Sequence, residues 1–332
     1  MDKRELGTSG IPVSVVGLGC WPLGGGPGWG DIAEKQAIAT IQAALDHGIT
    51  FFDTAEGYNA GNSERVLGRA LRGKRDRAVI ATKISPSNTA PDTLRAHCEA
   101  SLQRLQTDWI DLYQIHWPMP NERVPEALAT LEELQAEGKI RAIGISNHGV
   151  SQMHTVLQEN VTIVANQLAY NLLCRAIEFE ILPLCQQHDI STIPYMPLMQ
   201  GLLAGRYESP DDVPPFRARS RHFSSDRPQA RHGEPGAEKE TFQAIAAIRE
   251  TAQDLGVPMA QLSIAWLLER PGVATVIAGA RETWQVEANV AAASLELEPD
   301  TVEALDRATA ALKRAMGANA DIWQGDERRR TR

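Results

Sequence analysis

The sequence is poor in several things, and each shortage closes off a class of function. It holds four cysteines in 332 residues: Cys20, Cys98, Cys174 and Cys185. None stands in a C-x-x-C pair or in a His/Cys cluster with zinc-ligand spacing, so no disulfide framework and no metal site is expected. Their scatter suits reduced thiols and a cytoplasmic protein. Positive charge is not in surplus, since 33 Lys+Arg face 42 Asp+Glu for a formal net charge of −9. General nucleic-acid binding needs a basic face, so no nucleic-acid partner is expected. No apolar run approaches the length of a membrane span, and the first residues, MDKRELGTSG, lack a signal core. No membrane partner is expected either. The phosphate loop G-x-x-x-x-G-K-[ST] is absent.

What is present is a repeated alternation. Eight short runs rich in Val, Ile, Phe or Tyr read as strands: 15–20, 49–53, 78–83, 109–116, 140–146, 162–167, 190–195 and 274–279. Helical patterns separate them, at 34–47, 63–71, 91–105, 123–137, 150–158, 177–188 and 282–293. In the first, Ala37, Ile38, Ile41, Ala44 and Leu45 share a face, and Gly48 supplies a stop. In the second, Ser63 stands as the cap with Glu64 in the first turn. Eight strand–helix repeats predict one α/β domain over 1–332, an (α/β)8 TIM barrel.

Three pieces fall outside the repeat. Residues 2–14 suit an N-terminal hairpin closing the barrel floor. Residues 206–237 form a Pro/Arg/His-rich loop too long for a plain connector. Residues 238–270 hold two extra helical segments, split by Gly256 and Pro258. The last ten residues, WQGDERRRTR (323–332), read as a frayed tail with solvated arginines.

The glycine-rich GLGCWPLGGGPG at 17–28 tests as a dinucleotide fingerprint and fails. That motif needs a helix opening from its last glycines, and Pro22 stands where the helix should begin. Any dinucleotide must bind without a Rossmann unit.

In a TIM barrel, side chains at the C-terminal ends of strands point to the site. The second strand ends in Asp53, with Tyr58 in the loop beyond; the third ends in Lys83 and the fourth in His116. Each alone has an ordinary use: a turn former, a packing ring, a solvated lysine, a structural hydrogen-bonder. Their convergence from adjacent strand ends is what those uses leave unexplained. A phenol has a reference pKa of about 10 and is a poor acid at neutral pH. A nearby ammonium favours the phenolate, and a carboxylate holds that ammonium charged if it is buried. Asp53 is therefore expected to hold Lys83, Lys83 to acidify Tyr58, and His116 to hydrogen-bond beside it. Tyr58 can then protonate a carbonyl oxygen. No side chain supplies hydride, whereas a reduced nicotinamide does.

The chain resembles the aldo-keto reductase superfamily over nearly its whole length. The matching segments are GLGCW (17–21), FFDTAEGYNAGNSERVLGRAL (51–71), ATK (81–83), DWIDLYQIHWP (108–118), GKIRAIGISN (138–147), YNLL (170–173), PYMPLMQGLLAGRY (194–207) and IAGARETWQVEAN (277–289). The likeness is greatest to the branch of bacterial inositol-operon reductases, near the potassium-channel β-subunits. It implies a barrel that binds NADPH or NADP+ extended across its C-terminal face. The family's catalytic tetrad falls on Asp53, Tyr58, Lys83 and His116, with Tyr58 the proton donor. Cofactor contacts are implied for Gly19, Cys20, Trp21 and Asp53 in the first loops, and for Ser146, Asn147 and Gln167 around the nicotinamide carboxamide. Tyr195 matches the ring on which the nicotinamide stacks, followed by Met196, Pro197, Leu198 and Gly201 along the pyrophosphate. Arg206 falls near the phosphates. The 206–237 loop would cover the cofactor, with Phe216, Arg217 and Arg219 as contacts. Gly279, Arg281, Gln285 and Asn289 match positions near the adenosine ribose phosphate and adenine.

Two departures bear on the cofactor. Ala288 stands where many relatives have Glu, and Gln285 where many eukaryotic members have Arg. Arg281 is left as the main cation for a 2′-phosphate, and NADPH is favoured over NADH. Trp21, Trp29, Tyr58, His116 and Trp117, with Phe223, would wall the pocket for a small-molecule carbonyl or alcohol. Two other functions compete: a nicotinamide-binding regulatory subunit with little turnover, and a Schiff-base enzyme using Lys83. The sequence carries no signature of oligomeric state.

Overall fold

The computed structural model describes every residue of the chain except Pro27. An antiparallel hairpin, β1 (Lys3–Glu5) and β2 (Pro12–Ser14), comes first. Eight parallel strands then close a barrel: β3 (Val16–Gly19), β4 (Phe51–Asp53), β5 (Val79–Ile84), β6 (Ile110–Ile115), β7 (Ile140–Ser146), β8 (Ile163–Ala169), β9 (Ser191–Tyr195) and β10 (Val276–Gly279). Neighbours in the barrel are neighbours in sequence, and β10 pairs back to β3. All eight expected strands are present, within a few residues at their ends.

These strands read as near-continuous apolar runs because both of their faces are buried. Alternation along each strand sorts the side chains. Phe51, Ala81, Leu112, Ala142, Ala165, Ile193 and Ile277 meet inside the barrel. Leu6 and Val13 of the hairpin region join them, so the hairpin plugs the floor. Phe52, Ile80, Tyr113 and Ile143 face outward to the helices. The interior is crowded enough that a Cβ on Gly17 would lie 2.8 Å from Phe51 Cδ1. Phe51 therefore occupies the space that a glycine leaves on the strand beside it.

The outer ring is α1 (Glu34–Asp46), α2 (Asn62–Ala70), α3 (Pro91–Leu105), α4 (Val124–Ala136), α5 (Val150–Leu157), α6 (Ile181–Gln187), α7 (Glu238–Asp254), α8 (Met259–Leu268) and α9 (Thr283–Ala291). A further helix, α10 (Pro299–Met316), packs on α7. Its signal was available: Pro299 in the first turn, Leu305, Thr309, Leu312 and Met316 buried at helical spacing, and Gly317 at the stop.

Three local expectations are corrected. Ser63 does not cap α2, which starts after Gly61 in a left-handed conformation. Instead the Ser63 hydroxyl donates to the Cys20 carbonyl and accepts from Thr54, tying the first and second loops together. The helix expected over 177–188 is shortened to α6, preceded by a separate turn at Ala176–Glu178. The C-terminal residues are not frayed. Arg330 pairs with buried Asp321 at 2.8 Å and lies over the Trp117 ring, and Thr331 is buried. The backbone of Arg332 sits where a Cβ on Gly149 would be. Aromatic and charge partners outside the segment, invisible in its own composition, hold it down.

Candidate active site

Inward-facing positions alternate along each strand, so the polar residues two beyond the apolar interior layer share its face. Asp53 follows Phe51, Lys83 follows Ala81, Gln167 follows Ala165 and Tyr195 follows Ile193. Polar side chains thus crown an apolar plug, at the C-terminal mouth of the barrel.

At the centre lies a buried ion pair. Lys83 is fully buried, and its Nζ donates to Asp53 Oδ1 at 2.6 Å, to the Thr54 carbonyl at 2.7 Å and to the Tyr58 hydroxyl at 3.2 Å. The lysine stands between the carboxylate and the phenol, as expected. Asp53's other oxygen accepts from Gln167 Nε2 at 2.8 Å, so the carboxylate is held on both sides. Burial alone would lower the Lys83 pKa, but the Asp53 and Tyr58 partners raise it above the ordinary lysine value. The ammonium stays charged.

Tyr58 differs in one respect from expectation. Burial drives its pKa upward, and the Lys83 charge opposes that drive without overcoming it. The phenol is therefore protonated at neutral pH, with a cation beside its oxygen. His116 packs its ring edge-on to Tyr58, with centroids 5.7 Å apart, and makes no hydrogen bond to it among the described residues. Desolvation, reinforced by the Lys83 charge, pushes the imidazole down to about 3, so His116 is neutral in working conditions.

The loop that presents Tyr58 is unusual. Asn59, Ala60 and Gly61 follow it with φ of 47, 50 and 78°. Two of these are not glycine, and each such residue costs about 1–2 kcal/mol. The side chains of Asn59 and Asn62 both donate to the Gly24 carbonyl, at 2.8 and 2.9 Å, which pins the turn. Trp21 stacks on Tyr58 with centroids 5.5 Å apart, and Trp29 meets Trp21 edge-on.

A cavity of about 600 Å³ opens above this centre. Trp21, Trp29, Tyr58, His116 and Trp117 all line it. Phe223 does not, being fully buried in the core. Ser146, Asn147, Gln167 and Tyr195 line one side in a continuous hydrogen-bonded run. Tyr195 donates to Asn147 Oδ1 at 2.8 Å, Asn147 Nδ2 donates to the His116 carbonyl and to Ser146 Oγ, and Ser146 donates to the Gln167 carbonyl. Asn147 has φ 61°, a strained conformation held by those bonds.

Further out, Met196, Pro197, Leu198, Gly201, Arg206 and Arg217 line a second stretch, and Gly19, Gly279, Arg281 and Gln285 a third. Gly201 has φ 101°, and a Cβ there would lie 3.0 Å from Arg217 Nη1 and 3.6 Å from Arg206 Cδ. Bare backbone between two arginines without ion-pair partners, among the described residues, fits an extended phosphate-bearing group. Two expected contacts fall elsewhere. Cys20 is fully buried with its sulfur toward the Leu18 carbonyl, beneath the wall. Asn289 is buried against the Gly279 carbonyl at the back of α9. The Arg281 guanidinium, expected to be free, donates to the carbonyls of Trp29 and Asp31.

Arg219, named with the 206–237 loop, also lines the cavity, whereas sequence reasoning missed Trp323, Arg231 and Arg330. Trp323 and Arg330 come from the segment read as a tail.

Comparison with known proteins follows the same lines. A sequence model described as the Aldo/keto reductase family matches residues 15–310. The chain belongs to the aldo/keto reductase family. The aldo-keto reductase YhdN of Bacillus subtilis is 35% identical over 303 residues, 87% of each chain. An Escherichia coli protein named NADH-specific methylglyoxal reductase is 35% identical over 341 residues, 95% of this chain and all of that one. Among solved structures, an aldo/keto reductase from Klebsiella pneumoniae, in complex with NADP and acetate, superposes with a TM-score of 0.72 at 32% identity. It covers 92% of this chain and 94% of its own. The closed barrel is thus the family fold, and the protein is an oxidoreductase of that family. No helix among the described residues is long and apolar enough to cross a membrane.

Proposed function

We propose that the protein reduces an aldehyde or ketone to an alcohol, reversibly, with Tyr58 giving the proton and NADPH as the cofactor. The observation that carries this reading is Lys83 Nζ, 3.2 Å from the Tyr58 hydroxyl and 2.6 Å from Asp53. A bound reduced nicotinamide supplies the hydride to the carbonyl carbon. Tyr58 passes its proton to the carbonyl oxygen as negative charge builds there, and the Lys83 ammonium stabilises the phenolate left behind. Asp53, anchored by Gln167, keeps Lys83 charged and aimed. His116, neutral, offers a hydrogen bond to the same oxygen without adding a charge that would repel Lys83. Trp21 and Trp29 exclude water above Tyr58.

The reading NADPH over NADH rests on charge. Six arginines line the cavity, Arg206, Arg217, Arg219, Arg231, Arg281 and Arg330, against one carboxylate, Asp53. Among the described residues no carboxylate at the Arg281 end lines the cavity. The 206–237 loop covers the cofactor: the Phe216 ring lies where a Cβ on Gly28 would be, 1.9 Å from it, closing that loop onto the first one.

Mixing the protein with each reduced cofactor and a panel of sugar, aliphatic, aromatic and pyridoxal carbonyls tests the reading. Loss of nicotinamide absorbance with at least one carbonyl is expected, faster with NADPH. Tight cofactor binding with no turnover of any carbonyl would favour a regulatory subunit instead. Arg281→Ala should lower the NADPH-to-NADH ratio of kcat/KM about tenfold or more, the size of one charge-assisted contact. An unchanged ratio would remove Arg281 from the 2′-phosphate.

A further inference from the structure

One polar side chain inside the barrel stands outside the catalytic set. Gln114 follows Leu112 of the apolar interior layer on β6, so it shares the inward face with Asp53, Lys83 and Gln167. It is fully buried, and its Cα is in register with Lys83 on β5 and with Gly144 on β7. Gly144 leaves a gap on that face, since a Cβ there would lie 3.0 Å from Gln114 Cγ. Gln114 therefore reaches across β7 to β8, where its Oε1 accepts from Gln167 Nε2 at 3.4 Å. The same nitrogen donates to Asp53 Oδ2 at 2.8 Å.

The charged end fixes the polarity of this relay. An ionised Asp53 only accepts, so Gln167 turns its NH2 group toward it. The two hydrogens of that group are shared between Asp53 and Gln114, and Gln114 must present its oxygen. The reverse orientation of Gln114 would set two NH2 groups against each other. Its own NH2 is left over, buried without a partner among the described residues. An orphaned buried donor costs stability, and an apolar side chain of the same length would remove that cost. Such a side chain, kept beside the catalytic lysine at a loss of stability, points to a function.

We propose that Gln114 is a positioning residue for the reduction. Its oxygen holds the Gln167 amide in the orientation that fixes Asp53, and through Asp53 the Lys83 ammonium beside Tyr58. Without that oxygen the Gln167 amide keeps one anchor and turns more freely, and Asp53 with it. Gln114 does not line the cavity, so it acts only through these neighbours. This rests on the carbonyl-reductase reading above and adds a residue to it.

Gln114→Met keeps the length of the side chain and removes both the acceptor and the orphaned donor. Rapid mixing of the protein–NADPH complex with a carbonyl that it consumes gives the single-turnover rate of reduction. That rate should fall about three- to tenfold, the size of one neutral hydrogen bond. The Tm should be unchanged or raised by about 2–4 °C. The carbonyl KM and the NADPH Kd should move less than about twofold. Gly144→Ala retains Gln114 but pushes its Cγ out of the gap, and should slow the reaction similarly. In the double variant the losses should not multiply, because both changes break one relay. A rate for Gln114→Met within threefold of wild type would overturn the proposal and leave the reductase reading standing. A larger loss with a lower Tm or weaker NADPH binding would also overturn it, by making Gln114 a packing residue. Losses that multiply in the double variant would overturn the relay. No turnover of any carbonyl by the wild type would overturn the reductase reading, and the role of Gln114 with it.

Discussion

Replacing Lys83 by Met keeps the length of the side chain and removes its charge. In the wild type the Nζ lies 3.2 Å from the Tyr58 oxygen. Opposite unit charges at that separation, with an effective dielectric constant of about 20, attract by about 332/(20 × 3.2), or ~5 kcal/mol. Phenol and ammonium do not feel this in the ground state, because Tyr58 is neutral there. The attraction grows as the proton leaves. If half the charge has developed at the transition state, about 2–3 kcal/mol is lost, which is roughly a hundredfold in rate. The proposed Lys83→Met effect is therefore a fall in kcat of ~10², with the cofactor Kd little changed. The variant also orphans Asp53, whose removal from a buried pair costs about 3–5 kcal/mol unless it takes up a proton. Circular dichroism and cofactor binding would show whether the fold survives. The sign on the alkaline side follows from the raised Lys83 pKa. Its contribution to stability is fully present below the unfolded value of 10.5 and is lost as pH rises through the higher folded value. Lys83→Met should lack that alkaline decline. A kcat within threefold of wild type, in folded protein that still binds cofactor, would refute the role given to Lys83.

Other consequences are independent of that pair. His148 and His222 are buried and pushed down to about 4, and His116 to about 3, so the folded chain stays neutral where the unfolded chain takes up protons. Stability should therefore fall as pH drops from about 6.5 toward 4, by up to ~1.4 kcal/mol per pH unit for each histidine. Urea midpoints across that range check it, and His148→Gln should flatten the slope. Gly28→Ala would set a Cβ against the Phe216 ring at φ 87°, and should lower Tm by ~2–4 °C. It should also speed cofactor release in a stopped-flow chase if the loop covers the cofactor. Deleting residues 323–332 removes Trp323 and Arg330 from the cavity wall; the barrel should still fold, with KM for carbonyls raised and Tm lowered by a few degrees.

The barrel was legible because parallel strands buried on both faces leave apolar runs that no surface element mimics. Phe51 and Phe52 mark β4 in that way, and Asp53 marks its end. The four polar groups above the barrel were legible for a related reason: strand polarity fixes which end of each run faces the site. The Asp53–Lys83–Tyr58 order followed from elementary charge chemistry. What escaped was set by distance in the chain. The burial that outweighs Lys83 at Tyr58 comes from the whole rim, so the direction of that pKa could not be read from neighbours in sequence. WQGDERRRTR looks solvated in isolation, yet Arg330 finds Trp117 and Asp321, and Arg332 packs on Gly149. Cys20 and Asn289 sit in segments that do reach the cavity, but their side chains turn away from it. Arg281 was expected to be free, and the carbonyls of Trp29 and Asp31 claim it from a loop some 250 residues away.

The measurement that bears most directly on the central claim is label transfer. NADPH deuterated at the reducing carbon of its ring is incubated with the protein and a carbonyl that it consumes, and the alcohol is analysed by mass spectrometry and NMR. Deuterium at the carbinol carbon, with formation of the labelled alcohol lost in Tyr58→Phe that still binds cofactor, is the predicted result. Unlabelled alcohol, or wild-type rates of labelled product from Tyr58→Phe, would contradict the account.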